Sequence, residues 1–165
     1  TTQPLRLYMD PRVKTSAAGL SQLASLSGEM YDKSVAAHAA FGQARALIAQ
    51  LDKMSGADVD ALKAVLEPLA PSSAQVRNVR AIRRRGPATA ATPSLEGVSN
   101  TLLAAAMAMQ NADVAPTAVQ IAACNAARTQ AAPVLAQWNS IRTTRLAAFN
   151  ARRKAAGLPT VSLPN

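Results

Sequence analysis

Five arginines within nine positions, Arg77, Arg80, Arg83, Arg84 and Arg85, are the side chains best suited to direct chemistry in this chain. A guanidinium offers a planar fork of donors that matches phosphate or carboxylate oxygens. Binding of this kind to nucleic acid weakens steeply with salt. No aromatic is interleaved to stack on bases, and no recognisable reading helix accompanies the run. A solvated basic loop, or one docked on an acidic protein surface, is therefore the first expectation. Binding of nucleic acid or acidic lipid through these arginines is the alternative.

Other chemistry lacks its residues. A di-iron bundle needs Glu-x-x-His pairs on facing helices, but the chain has one histidine, His38, and Glu29, Glu67 and Glu96 are scattered. No CxxC or CxxCH is present for zinc or haem. Asp58, Asp60 and Glu67 read as a capping, solvated helix face rather than the carboxylate pair of a glycosidase. No phosphate loop or nucleophile elbow occurs. The single cysteine, Cys124, lies among small residues and reads as an inert, at least half-buried thiol. Catalytic, cofactor-binding and metal residues are thus not expected, and neither is enzymatic activity.

The charge is lopsided. Residues 1–76 hold seven basic and seven acidic side chains, whereas residues 77–165 hold eleven basic and two acidic, Glu96 and Asp113. All of the net charge of +9 thus belongs to the second half, which points to an anionic partner or an acidic neighbouring surface. Apolar residues make up 49% of the chain but aromatics only 3%, and many of the former are alanine. Alanine favours helix but buries little area, so a thin core carried by a few large residues is expected. No apolar run reaches the ~20 residues that span a bilayer. A chain that opens on Thr1 without a basic-then-apolar leader is expected to be a processed chain or a fragment.

Helical spacing dominates the pattern. Residues 1–13 alternate Leu5, Leu7 and Met9 with Arg6 and Tyr8, a strand-like period, and form an arm ahead of a helical bundle at 14–157 and a tail at 158–165. Helix one should start at Thr15 or Ser16. Its stripe runs Leu20, Leu23, Ser27, Met30, Ser34, Ala37, Phe41, Ala44, Ile48, Leu51. Gly56 should end it in the left-handed conformation, and Asp58 should cap a short second helix limited by Pro68 and Pro71. The stretch from Ser72 through the arginines reads equally as short helix or loop. Helix three should start at Ser94, with Leu95, Val98, Leu102, Leu103, Ala106 and Met109 inward. The junction Asp113-Val114-Ala115-Pro116-Thr117 then reverses the chain, with Asp113 as the capping acceptor and Pro116 in the first helical position. Helix four should run to Ala156 with a kink at Pro133. Its inward residues would be Val119, Ala123, Ala126, Val134, Trp138, Ile141, Arg145 and Phe149. Arg152, Arg153 and Lys154 complement its negative end, and Gly157-Leu158-Pro159 stops it. Tyr31, Phe41, Trp138 and Phe149 are expected to pack in the core. The fold class is an all-α antiparallel bundle of three long helices and one short, with a strand-like N-terminal arm.

Several of these segments together resemble a known family. They are Met9-Asp10-Pro11-Arg12-Val13 ahead of a long helix, and Leu102 followed by Ala112-Asp113-x-Ala115-Pro116-Thr117. Trp138 and Phe149-Asn150 in the last helix, and the closing Gly157-Leu158-Pro159, complete the set. The pattern resembles the C-terminal helical region of exported bacterial sortilin-like proteins with Asp-box (BNR) β-propellers, often labelled glycosyl hydrolases. The resemblance implies that Thr1–Val13 is the last strand of a β-domain lying outside this chain. It implies an exported, periplasmic or cell-surface protein, and a non-catalytic accessory bundle whose partner is that β-rich portion or a companion polypeptide. No catalytic residue is carried over, because no Asp-box motif occurs here.

Overall fold

A computed structural model of the chain describes residues 3–5, 8, 10–72 and 93–164. Five α-helices are present among them: α1 (Ala17–Leu51), α2 (Ala57–Leu66), α3 (Leu95–Met107), α4 (Ala118–Ser140) and α5 (Leu146–Ala155). A five-residue π-helical turn, Ile141–Arg145, joins α4 to α5, so the two form one long rod. The architecture is an all-α bundle, with α1 and α3 its most closely packed pair and α4 on α3. The expected Arg77–Arg85 run lies outside the described residues. No strand forms among the described residues of the arm, where Leu5 and Tyr8 are each 82% exposed; a lone strand has nothing to pair with.

Helix starts follow side-chain capping. Ser16 accepts a hydrogen bond from Gly19 N–H at 3.1 Å, and Ser94 does the same for Gly97 at 3.1 Å. Each satisfies one of the orphan donors of a first turn. The junction before α4 differs from expectation. Its cap is Thr117, one residue after Pro116, in a reciprocal capping box with Gln120. Thr117 Oγ1 accepts from Gln120 N–H at 3.2 Å, and Gln120 Oε1 accepts from Thr117 N–H at 2.8 Å. Two donors are met at once, which leaves Asp113 no capping role. Its backbone carbonyl instead accepts from Thr15 Oγ1 at 2.6 Å. The junction is thereby tied to the start of α1, so closely that a Cβ on Gly19 would lie 2.9 Å from Ala115 Cβ.

Gly56 and Asp58 also take roles other than those expected. Helix α1 already ends at Leu51. Gly56, at φ 134° and ψ 155°, opens α2 without a side-chain cap; that backbone region is close to glycine-only. Asp58 sits in the first turn of α2. Pro133 lies within α4 without splitting it. At the far end, Gly157 is left-handed at φ 68°. Leu158 N–H donates to Arg153 O at 2.8 Å and Gly157 N–H to Lys154 O at 3.1 Å, a double closure of the last turn.

The core is thin, as the composition implies. Its largest fully buried side chains include Phe149, Met30, Leu47, Leu51, Leu66, Leu69, Leu95, Leu102 and Ile141. Where α1 crosses α3, Ser34 Oγ donates to Ser99 O at 2.9 Å and Ser99 Oγ to Ser34 O at 3.0 Å. Both serines are buried. Small side chains let the backbones approach, and each hydroxyl finds the opposite carbonyl, so neither buried hydroxyl is left unpaired. In α4 the buried set is Cys124, Ala127, Ala131, Val134 and Trp138. Val119, Ala123 and Ala126, expected inward, are exposed. The π turn then makes a five-residue step, from buried Ile141 to buried Leu146. That step turns Arg145, also expected inward, out to solvent.

Candidate interaction surfaces

Among the described ion pairs that link helices, two are built on arginines and the third joins Lys63 of α2 to Asp52 at the end of α1. Arg128 on α4 grips Glu29 on α1 with both oxygens engaged, through Nε to Oε1 at 2.9 Å and through Nη2 to Oε2. Lys33 Nζ adds a bond to Glu29 Oε1 at 2.7 Å, and Asn125 Oδ1 accepts from Arg128 Nη1 at 2.6 Å. The Arg128 bonds, then Lys33, hold the Glu29 carboxyl down at about 2 against the opposing push of partial burial.

The second arginine is Arg153, 4% exposed. Its Nε donates to Pro159 O at 2.8 Å and its Nη1 to Asp58 Oδ2 at 3.2 Å. The guanidinium carbon stands 5.5 Å from the Phe149 ring centre, within cation–π range. Partial burial of Asp58 pushes its carboxyl up, but the Arg153 bond and charge, with nearby backbone N–H groups, bring it below the usual range. The helix-end reading of Arg153 thus gives way to a buried link between α5, α2 and the tail. Side-chain amides clamp the tail itself. Asn150 exchanges two bonds with the backbone of Val161, at 2.8 and 3.0 Å, and Gln50 two with Ser162, at 2.7 and 3.1 Å.

Cys124 is buried beside Met109. Desolvation pushes its thiol up, the opposite of what a nucleophile needs. His38 is exposed on α1. Among the described residues no group of three or more His, Cys, Asp or Glu is placed to hold a metal ion. None of the helices described is long and apolar enough to cross a membrane.

Four of the exposed apolar side chains are organised. Tyr31 and Val35 on α1 are 52% and 51% exposed, and Leu103 and Met107 on α3 are 38% and 54% exposed. Each follows by one position a core residue or buried serine: Met30, Ser34, Leu102 and Ala106. In an antiparallel pair, a one-residue step of ~100° turns both helices' side chains to the same side of the seam. Glu29, one position before Met30, faces the other way, toward α4. The Ser34–Ser99 register puts Tyr31 and Leu103 at the same height. An apolar strip therefore flanks the α1–α3 seam on the side that α4 leaves open. The inward expectations for Tyr31 and Leu103 fail for this reason, while Trp138 and Phe149 are buried as expected.

Comparison with family models, with curated proteins and with solved structures gave no match.

Proposed function

We propose that this chain is a non-catalytic interaction bundle. In this reading it packs its α1–α3 seam against a β-rich, propeller-bearing portion of an exported bacterial protein or a companion polypeptide. The carrying observation is the apolar strip of Tyr31, Val35, Leu103 and Met107 on the uncovered side of the closest helix pair. Soluble domains rarely leave contiguous apolar patches open without an interaction to cover them. The exposed Leu5 and Tyr8 of the arm, and the resemblance in the junction segments, support the same partner class. Val35→Asp with Met107→Asp should abolish association while leaving the thermal midpoint within a few degrees, because both sites are solvent-facing. Association that survives the double change, or substrate turnover by the bundle alone, would sink the reading.

A second reading is favoured by the basic second half of the chain. Arg142, Arg145, Arg152 and Lys154 are exposed on the last turns, and Arg77, Arg80, Arg83, Arg84 and Arg85 add five cations in sequence. Such a module would bind nucleic acid or another anionic surface. Replacing Arg77–Arg85 by glutamine should then remove binding and flatten its salt dependence; unchanged affinity refutes it.

A further inference from the structure

A groove of about 210 Å³ lies between α2 and the π turn with α5. Its floor is apolar: Ala61 and Val65 from one side, Ala148 and Phe149 from the other. Arg145 and Arg152 line the same groove and are exposed. Neither guanidinium takes part in an ion pair or hydrogen bond among the described residues. Asp58, the acidic residue on the opposite wall, is bonded to Arg153 and is not available to neutralise them.

The π turn creates this arrangement. With regular spacing after Ile141, Arg145 would point inward; the five-residue step seats Leu146 there and brings Arg145 to the rim. Seven residues on, Arg152 lies on the same helix face, about 10 Å further along the axis. π turns recur at functional positions in helices. Two unpaired guanidinium groups, carried on backbone positions about 10 Å apart along the axis and bordering an apolar floor, call for two anions flanking an apolar group. An extended peptide advances ~3.3 Å per residue and sends alternate side chains to opposite faces, so carboxylates two positions apart face the arginine wall together, ~7 Å apart and within the sweep of two long arginine side chains, while the apolar side chain between them turns to the floor. The floor carries a single ring, Phe149, which is itself buried. It offers no open aromatic face for stacking a base, which favours a peptide over a nucleic acid.

We infer that this groove docks an acidic peptide segment of a protein partner. One large apolar side chain sits on the Ala61–Ala148–Phe149 floor, and flanking carboxylates pair with Arg145 and Arg152. The groove is built from other helices than the α1–α3 seam, so the two surfaces fail separately.

The test titrates the isotope-labelled full chain with a capped hexapeptide whose two glutamates, two positions apart, flank a phenylalanine. Amide shifts should concentrate at Ala61, Val65 and Ala148. The glutamine version of the peptide, and the Arg145→Gln, Arg152→Gln double variant, should each bind about tenfold more weakly, as two partly exposed pairs allow. Ala148→Phe, which fills the floor, should block binding. Arg142→Gln, whose arginine is held by Asn139 at 3.0 Å, should bind as the parent does. Val35→Asp with Met107→Asp should also leave it unchanged, even if the seam reading falls. The inference is overturned by any of three results. These are no saturable shift at millimolar peptide, an Arg142→Gln loss equal to that of Arg145→Gln, or tighter occupation of the same groove by a short oligonucleotide.

Discussion

Replacing Glu29 by glutamine tests whether the α1–α4 register rests on charge. The carboxyl is moved from its ordinary 4.5 to about 2, which corresponds to about 3 kcal/mol of preference for the ionised form in the folded state. Glu29 and Arg128 are each 32% exposed at the side chain, and solvent screening reduces the expected contribution to about 1–2 kcal/mol. The sign follows from the lowered value. The stabilisation is complete above the unfolded-state value of 4.5, declines as the unfolded chain takes up the proton, and is gone once pH falls through about 2. Urea unfolding at pH 7 should therefore show Glu29→Gln about 1–2 kcal/mol less stable than the parent, with the gap narrowing steadily below pH 4.5. Comparing the two proteins at each pH cancels the other carboxylates. The gap should also shrink in high salt. A pH-independent gap, or a Glu29 titration midpoint near 4.5 by NMR, would refute the reasoning.

Arg153→Ala should cost about 2–3 kcal/mol in urea unfolding, because the donor to Pro159 O and the Phe149 contact go with it. It should also speed carboxypeptidase removal of the tail; undiminished stability would mean the buried arginine is only packed. Gly19→Ala should destabilise by about 1–2 kcal/mol through the approach of Ala115. The Ala115→Gly second change should recover most of that in calorimetry, and failure to recover would place the strain elsewhere. Cys124 should resist an aromatic disulfide reagent at pH 8 in the folded protein and react at once in urea, since burial raises its thiol; fast native reaction would contradict its burial.

The sequence carried the helices because their caps and stripes have contrast. Ser16 and Ser94 precede apolar periodicity, and Met30, Ala37, Ala44, Ile48 and Leu51 are buried as their spacing requires. Contrast fails in the first half of α4. There the choice between Ala123 and Ala126 or Ala127 and Ala131 is a choice among alanines, and the face could not be read. The π turn did leave a trace, the five-residue gap between Ile141 and Leu146, but a search for three and four steps passes over it. Thr117-x-x-Gln120 has the spacing of a capping box in the sequence itself, whereas Pro116 and Asp113 point to an earlier start. Arg153 was not legible. A cation in a last helical turn satisfies the dipole rule wherever it points, and only the tertiary approach of Asp58 and Pro159 draws it inside. The apolar strip was hidden for a related reason. Tyr31 and Leu103 look like core residues until the helix pair has a covered side and an open one.

The central claim is that the open α1–α3 seam is covered by a protein partner. Hydrogen exchange read by mass spectrometry, on the native protein with and without the proposed β-rich portion or companion polypeptide, tests this most directly. Slower exchange confined to the segments around Tyr31–Val35 and Leu103–Met107 in the joined state is the predicted result. Equal exchange there in both states, with protection elsewhere or nowhere, would contradict the account.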